Sequence, residues 1–203
     1  MEPKRLAVLD YGGGNIGSLV AALERRGVAF DLTSDANVVA AAGAAILPGD
    51  GAFGATMDAL RERGLDRAVH DFAAGGKPFL GICVGMQVLF ESSDEFGGDA
   101  GLGIFAGHVR RFAGAPRVPH MGWNDLTIER EHPFVTGLHG GEFAYFLHSY
   151  RVADSDATVA STEYGGRFAA IVARDNVMAT QFHPEKSQRT GAVLLDNFLA
   201  LAA

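Results

Sequence analysis

The residue best suited to chemistry in this sequence is Cys83, the only cysteine among 203 residues. It lies in the pattern Gly-x-Cys-x-Gly at residues 81–85, between a predicted buried strand end at 77–80 and a predicted helix at 86–91. Such a turn exposes a nucleophile at the end of its strand, and the start of a helix favours the reactive thiolate. A lone cysteine is more often a small core side chain, so the spacing carries the prediction.

A second motif supplies the base that a thiol nucleophile needs. His183 and Glu185 flank Pro184, directly after an apolar stretch that predicts a strand. The imidazole can take the proton of the thiol and later protonate a leaving group. A carboxylate two residues on can hold the other ring nitrogen and fix the tautomer. Alone, the motif is more often an exposed turn, but with the upstream cysteine it predicts a Cys83, His183 and Glu185 triad.

A glycine-rich loop could complete such a site. Residues 48–51 (Pro-Gly-Asp-Gly) follow a predicted strand, and a tetrahedral intermediate needs backbone N–H donors aimed at its oxyanion. Val84, which follows the nucleophile, supplies one donor, and this loop can supply a second. Its glycines permit a peptide flip between donating and non-donating states. An ordinary β-turn explains the same four residues, and that alternative stays open.

Residues 12–17 offer a competing hypothesis, because Gly-x-Gly-x-x-Gly between a strand and a helix is the fingerprint of a dinucleotide site. The acidic residue of that fingerprint should close the second strand, but Asp31 lies inside the predicted strand and Asp35 beyond it. A dinucleotide site is therefore disfavoured. The histidines and the cysteine lack metal-ligand spacings, so we expect no metal and no cofactor.

The elements around these motifs predict an α/β fold, a doubly wound and mostly parallel sheet, with an added antiparallel β portion in the second half. In the first half, predicted strands at 6–10, 28–32, 44–47 and 77–80 alternate with predicted helices at 16–26, 38–42, 53–63 and 65–74. In the second half we predict a loop at 93–101, short strands at 107–112, 124–128, 144–152, 158–164, 169–173 and 177–182, and a closing helix at 191–201. We expect a single domain over residues 1–203.

Composition narrows the function classes. Hydrophobic residues make up 48% of the chain, enough for a sizeable core, and the net charge of −7 gives no support to nucleic-acid or anionic-membrane binding. No apolar run has the length of a membrane span, and the N-terminus lacks the apolar region of a signal peptide. One cysteine cannot form an internal disulfide, which suits a cytoplasmic enzyme.

Residues 81–87 together with 183–185 resemble the class I, or triad-type, glutamine amidotransferases, and the resemblance covers essentially the whole chain. It implies that the triad hydrolyses glutamine to glutamate and ammonia through a cysteine thioester. It also implies that an oxyanion hole and a binding site for the amino-acid end of glutamine lie beside the triad. The oxyanion residues are Gly49, Asp50 and Val84, and the substrate residues are Gly51, Gln87, Glu95, His148 and Ser149.

One departure from the family pattern is visible in loop 48–51. Many members have a β-branched residue where Asp50 stands. An acidic side chain beside a developing oxyanion is unfavourable unless it points away.

Four further segments resemble one branch of the family, which works in histidine biosynthesis: 10–15, 119–124, 145–150 and 180–187. That likeness implies a heterodimer in which ammonia passes to a cyclase subunit, a (β/α)₈ barrel. The implied interface residues are Asn15, Trp123, Tyr145 and Lys186. Residues 12–17 would then be an interface loop. The alternatives are a glutaminase for another synthase, a γ-glutamyl hydrolase and a non-catalytic binding subunit; segment 121–124 argues against the first two and the intact triad against the third.

Overall fold

The structure is a computed structural model that describes residues 5–13, 16–153 and 155–202. Its helices are α1 (Ile16–Glu24), α2 (Ala36–Ala41), α3 (Phe53–Glu62), α4 (Leu65–Ala74), α5 (Val84–Gln87) and α6 (Gln188–Leu201). Its strands are β1 (Leu6–Leu9), β2 (Phe30–Thr33), β3 (Ala44–Leu47), β4 (Phe79–Ile82), β5 (Phe90–Ser93), β6 (Asp99–Ala100), β7 (Phe105–Arg111), β8 (His120–Asp125), β9 (Thr127–Ile128), β10 (Phe143–His148), β11 (Tyr150–Val152), β12 (Thr158–Glu163), β13 (Arg167–Arg174) and β14 (Val177–Thr180).

The main sheet has eight strands in the order β2-β1-β3-β4-β14-β13-β12-β9. Strands β1, β3 and β4 are short apolar runs that are buried along their whole length, as expected for parallel strands covered by helices on both faces. The first four strands and β14 are parallel, and β13, β12 and β9 continue the sheet antiparallel. The predicted doubly wound sheet with an antiparallel addition is therefore confirmed.

The pairing of β14 with β4 brings the two motifs together. Thr180 on β14 lies opposite Ile82 on β4, and both strands run in the same direction. The chain that follows β14 therefore emerges beside the turn that follows β4. Motifs a hundred residues apart in the sequence thus meet at the same edge of one sheet.

Two smaller sheets cover this edge. One is the antiparallel ribbon of β8 and β10, in which Trp123 lies opposite Tyr145 and His120 opposite His148. The other has the strand order β11-β7-β5-β6. Among the described residues, no helix combines the length and the apolar character needed to cross a membrane.

The helix predicted at residues 86–91 is wrong. Helix α5 is a single turn, and Phe90 and Glu91 belong to strand β5, which pairs with β7. The apolar run after Cys83 therefore serves a short helix and then a strand, and a turn of four residues carries only a small dipole. The loop predicted at 93–101 is also partly structured, by a 3₁₀ turn at Glu95–Gly97 and by strand β6.

Candidate active site

Cys83 lies on a sharply strained turn between β4 and α5. Its backbone has φ 55° and ψ −113°, a conformation that L-residues rarely adopt and that costs about 1–3 kcal/mol. Close packing holds the turn in place. A Cβ atom on Gly85 would collide with the carbonyl oxygen of Leu47, and a Cβ atom on Gly49 would collide with the amide nitrogen of Gly85. The glycines therefore allow β3 and its following loop to press directly against the cysteine turn.

His183 and Glu185 form a buried pair beside this cysteine. The Nδ1 atom of His183 lies 2.9 Å from Oε1 of Glu185, and the two side chains are only 4% and 3% exposed. Burial alone would lower the pKa of His183, but hydrogen bonds to Cys83 and Glu185 outweigh it and raise that pKa to about 10. Near neutral pH the imidazole is therefore protonated.

The main chain around His183 is fixed by strand β10. The amide of His183 donates to the carbonyl of Tyr145 at 3.1 Å. The hydroxyl of Ser187 donates to the carbonyl of His183 at 2.7 Å and accepts from the amide of Tyr145 at 2.9 Å. The imidazole is thus oriented by its carboxylate partner and by bonds on both sides of its own peptide.

Gln181 is a neighbour of Cys83 that the sequence did not single out. Its Nε2 atom lies 3.9 Å from the sulfur, within the range of an N–H···S contact, and the sulfur is 3.8 Å from the carbonyl oxygen of Leu147. The amide nitrogen of Gln87 donates to Oε1 of Gln181 at 3.0 Å and to the carbonyl of Tyr150 at 2.9 Å. This arrangement directs the amide nitrogen of Gln181 toward the sulfur. Its position two residues before the predicted base was the only available signal.

A buried histidine pair supports the far wall of the site. Nδ1 of His148 lies 2.8 Å from the carbonyl oxygen of Tyr150, so this nitrogen carries a proton and donates it. Nε2 of His148 then accepts from Nδ1 of His120 at 3.2 Å. Burial lowers the pKa of His148 to about 3 and that of His120 to about 4. Both rings are therefore neutral near pH 7, and His120, stacked between Phe146 and Tyr164, was also missed from the sequence.

A cavity of about 270 Å³ opens beside the cysteine. Its lining includes Asp50, Val84 and Leu147. It also includes all five residues that were predicted to bind the substrate: Gly51, Gln87, Glu95, His148 and Ser149. The ring nitrogens of His148 are both engaged, so only its backbone can face a ligand. Pro119 and Tyr150 complete the lining and were not predicted.

Loop 48–51 borders the cavity on the side of β3. Asp50 is exposed, Gly51 has φ 110°, and both line the cavity, whereas Gly49 packs beneath the cysteine turn. Burial raises the pKa of Tyr11, whose hydroxyl lies near Thr56 and the backbone of Asp50. Because Asp50 and Gly51 line the cavity together with Val84, the amides of this loop could face a reacting carbonyl next to the amide of Val84.

The outer face of the β8–β10 ribbon is apolar and exposed. Met121 is 62%, Trp123 46% and Phe143 56% exposed, and the ring of Trp123 packs edge-on against Tyr145 at a centroid distance of 5.9 Å. Lys186 is half-buried in the 3₁₀ turn after His183. Asn15 and part of segment 12–17 lie outside the described residues. Within the described residues, no cluster of three or more His, Cys, Asp or Glu side chains could hold a metal ion.

These groups can carry out acyl transfer. A cysteine on a strained turn faces a buried, protonated imidazole that is held by a carboxylate, and a cavity with backbone amides at its edge adjoins the sulfur. Such a set can attack a carboxamide, stabilise the oxyanion and protonate the departing nitrogen.

Comparison with known proteins agrees with this chemistry. The family model described as "Glutamine amidotransferase class-I" matches residues 7–202. The chain therefore belongs to the class-I glutamine amidotransferase family.

Individual relatives narrow the comparison. The chain is 46% identical over 203 residues to a Salinibacter ruber protein named "Imidazole glycerol phosphate synthase subunit HisH", covering 96% of this chain and 93% of that protein. It is 47% identical to a Syntrophotalea carbinolica protein of the same name, covering 95% and 98%. A crystal structure described as a glutamine amidotransferase, at 23% identity, covers 97% of this chain and 98% of its own with a TM-score of 0.76, which supports the fold.

Proposed function

We propose that this chain is the glutaminase subunit of imidazole glycerol phosphate synthase, which hydrolyses glutamine and passes the ammonia to a cyclase subunit in histidine biosynthesis. The observation that carries the proposal is that Cys83, at the wall of a cavity of about 270 Å³, lies beside the buried pair of His183 and Glu185. The two relatives at 46% and 47% identity are named as this subunit, and the chain aligns with nearly their full lengths.

In the proposed mechanism, the thiolate of Cys83 attacks the γ-carboxamide carbon of glutamine. The oxyanion is received by backbone N–H groups of Val84 and of loop 48–51 at Gly49 and Asp50. Protonated His183 gives its proton to the departing ammonia, which leaves a γ-glutamyl thioester. Water, deprotonated by His183, then attacks the thioester; the C–S bond breaks, glutamate is released, and the thiolate of Cys83 and the protonated imidazole are restored. Glu185 keeps the imidazole aligned throughout.

We propose that the cavity holds the amino-acid end of glutamine. The carboxylate of Glu95 is suited to its α-ammonium group. Because both amide hydrogens of Gln87 are engaged, its carbonyl oxygen is the atom left for the ligand. The backbone amides at His148 and Ser149, with that of Gly51, are suited to the α-carboxylate. This division gives each of the five substrate residues a chemically matched role.

The proposed partner is a (β/α)₈ cyclase subunit that docks on the outer face of the β8–β10 ribbon. Exposed aromatic side chains such as Trp123, paired with Tyr145, are typical anchors of protein interfaces. Lys186, in the 3₁₀ turn after His183, belongs to the same proposed interface, and so does Asn15, which lies outside the described residues. Ammonia must arrive unprotonated to act as a nucleophile, which explains a partner docked over the active site. A partner that shifts loop 48–51 into its donating state would also restrict glutamine hydrolysis to the complex.

Two further points belong to the proposal. Residues 1–203 act as a single domain, since β14 from the second half pairs directly with β4 from the first. The protein works in the cytoplasm, where reducing conditions suit the free thiol of Cys83.

The test is glutamate release with and without the purified cyclase subunit. We expect the rate to rise on adding the cyclase, and we expect Cys83→Ala to abolish it while the complex still runs the cyclase reaction on added ammonium salt. Normal hydrolysis by Cys83→Ala would overturn the mechanism. No rise at any ratio of cyclase to chain would overturn the partner assignment.

A further inference from the structure

Helix α3 begins without a capping side chain of its own. Its N-cap residue is Ala52, which has the extended dihedral angles of a cap (φ −92°, ψ 148°) but makes no side-chain hydrogen bond. Alanine is among the poorest residues at this position, because the first N–H groups of a helix need an external acceptor. This uncapped N-terminus comes directly after loop 48–51. The position of the end of the loop therefore depends on the group that accepts from the first N–H groups of α3.

Glu95 supplies the missing acceptor from a distant part of the chain. Its Oε2 atom accepts from the amide of Phe53, the first residue of α3, at 2.7 Å across 42 residues of sequence. Its own amide donates to the hydroxyl of Ser93 at 3.1 Å, which fixes the turn that presents it. A carboxylate at a helix N-terminus is also favoured by the helix dipole. Asp99 lies nearby, since a Cβ atom on Gly54 would collide with its carboxylate.

Glu95 also lines the cavity, together with Cys83 and Gly51. We infer that Glu95 is a positioning residue for loop 48–51 as well as a part of the glutamine site, and that it ties the two together through the first turn of α3. This inference rests on the proposed function, because it needs a glutamine ammonium group at Glu95. It adds a catalytic consequence to a residue that would otherwise affect substrate affinity alone.

The physical basis is that a carboxylate has two oxygens and about four acceptor positions. Oε2 is committed to the amide of Phe53, and the remaining positions can receive the α-ammonium of glutamine. An occupied site then restrains Glu95, and Glu95 restrains Ala52 and the loop before it. Bound substrate therefore favours an ordered loop at the moment when the oxyanion donors are needed.

The experiment separates the two roles of Glu95 by giving α3 a cap of its own. In the complex with the cyclase subunit, we expect Glu95→Ala to raise KM for glutamine about tenfold or more and to lower kcat about three- to tenfold. Adding Ala52→Ser or Ala52→Asp to Glu95→Ala should restore kcat but leave KM high. Glu95→Gln keeps an acceptor oxygen and loses the charge, so it should raise KM with kcat nearly unchanged.

Two controls set the baseline. Ala52→Ser alone should leave both constants unchanged within about twofold. Asp94→Asn removes a neighbouring acidic charge whose carboxylate contacts His108, and it should also leave both unchanged. Glu95→Ala with a raised KM and an unchanged kcat would overturn the inference, as would failure of both Ala52 variants to restore kcat. The proposed function fails separately, if the unaltered complex does not hydrolyse glutamine.

Discussion

Replacing Glu185 with glutamine tests the electrostatic basis of the proposed triad, because the change keeps the size and an acceptor oxygen but removes the charge. A move of the His183 pKa from 6.5 to about 10 corresponds to roughly 5 kcal/mol in favour of the protonated imidazole. Cys83 and Glu185 share this stabilisation, against the cost of burial. We therefore expect the pKa of His183 to fall by about 1–2 in Glu185→Gln.

The same substitution should change stability in a pH-dependent way. The pKa of His183 in the folded state lies above that of an unfolded histidine, so its stabilisation is complete below about pH 6.5 and is lost as the pH rises through about 10. Unfolding in denaturant at pH 7 should show Glu185→Gln to be less stable by about 2 kcal/mol. The difference should shrink as the pH rises from about 8 to about 10 and should be absent above that range.

Nuclear magnetic resonance of ring-labelled histidine gives the pKa directly, and glutamine hydrolysis in the complex gives the catalytic cost, which we expect to be about 10–100-fold in kcat. Glu62→Gln, a change at an exposed carboxylate on α3, is the matched control and should alter neither quantity. If His183 titrates in Glu185→Gln at the same pH as in the unaltered chain, Glu185 does not hold its charge and the reasoning is refuted.

Three further substitutions test the surroundings of Cys83. Gln181→Leu removes the amide that faces the sulfur, so kcat for glutamine hydrolysis should fall about tenfold; KM should rise as well, because Oε1 of Gln181 also holds the amide of Gln87. An unchanged kcat would mean that the 3.9 Å contact has no catalytic effect. His120→Phe keeps the stacking on Phe146 and Tyr164 but leaves Nε2 of His148 without its donor. The free energy of unfolding, measured in denaturant, should therefore fall by about 1–3 kcal/mol. Equal stability would show that this hydrogen bond is dispensable. Gly85→Ala places a Cβ atom against the carbonyl of Leu47 and should lower the stability of the fold by about 1–3 kcal/mol. The control Gly17→Ala, at an open helical position, should leave stability unchanged or raise it by up to about 1 kcal/mol. Similar melting temperatures for the two variants would contradict the packing argument.

Much of the fold could be predicted because the first half has a strong local signal. The apolar runs of β1, β3 and β4 are short and bounded by turn residues, and the intervening helices have a clear period. The length of α5 could not be predicted in this way. The apolar pattern of residues 86–91 is compatible with either a helix or a strand. Phe90 and Glu91 are extended because they belong to β5, which pairs with β7, and this long-range contact is not visible in the local sequence.

The residues of the candidate site also differ in whether their roles can be predicted from local sequence. The cysteine turn and the residues at 183 and 185 were visible because their chemistry is encoded in short spacings. Gln181 and His120 were not, since an amide or an imidazole gains a role only through partners from other elements. The role inferred for Glu95 was equally hidden, because it depends on an alanine at position 52 and on a contact between a 3₁₀ turn and a helix.

The β8–β10 ribbon connects the proposed partner surface to the proposed catalytic base, because the backbone of β10 bonds to His183. Side chains alternate along its strands, so Trp123 and Tyr145 face outward while His120, Phe146 and His148 face the interior. The backbone of Tyr145 also bonds to the amide of His183 and to Ser187. A partner that moves this ribbon would therefore act on the position of His183 directly through main-chain hydrogen bonds. In the proposed complex, the outer side chains would select the partner, and the backbone of Tyr145 would transmit the effect of docking to His183.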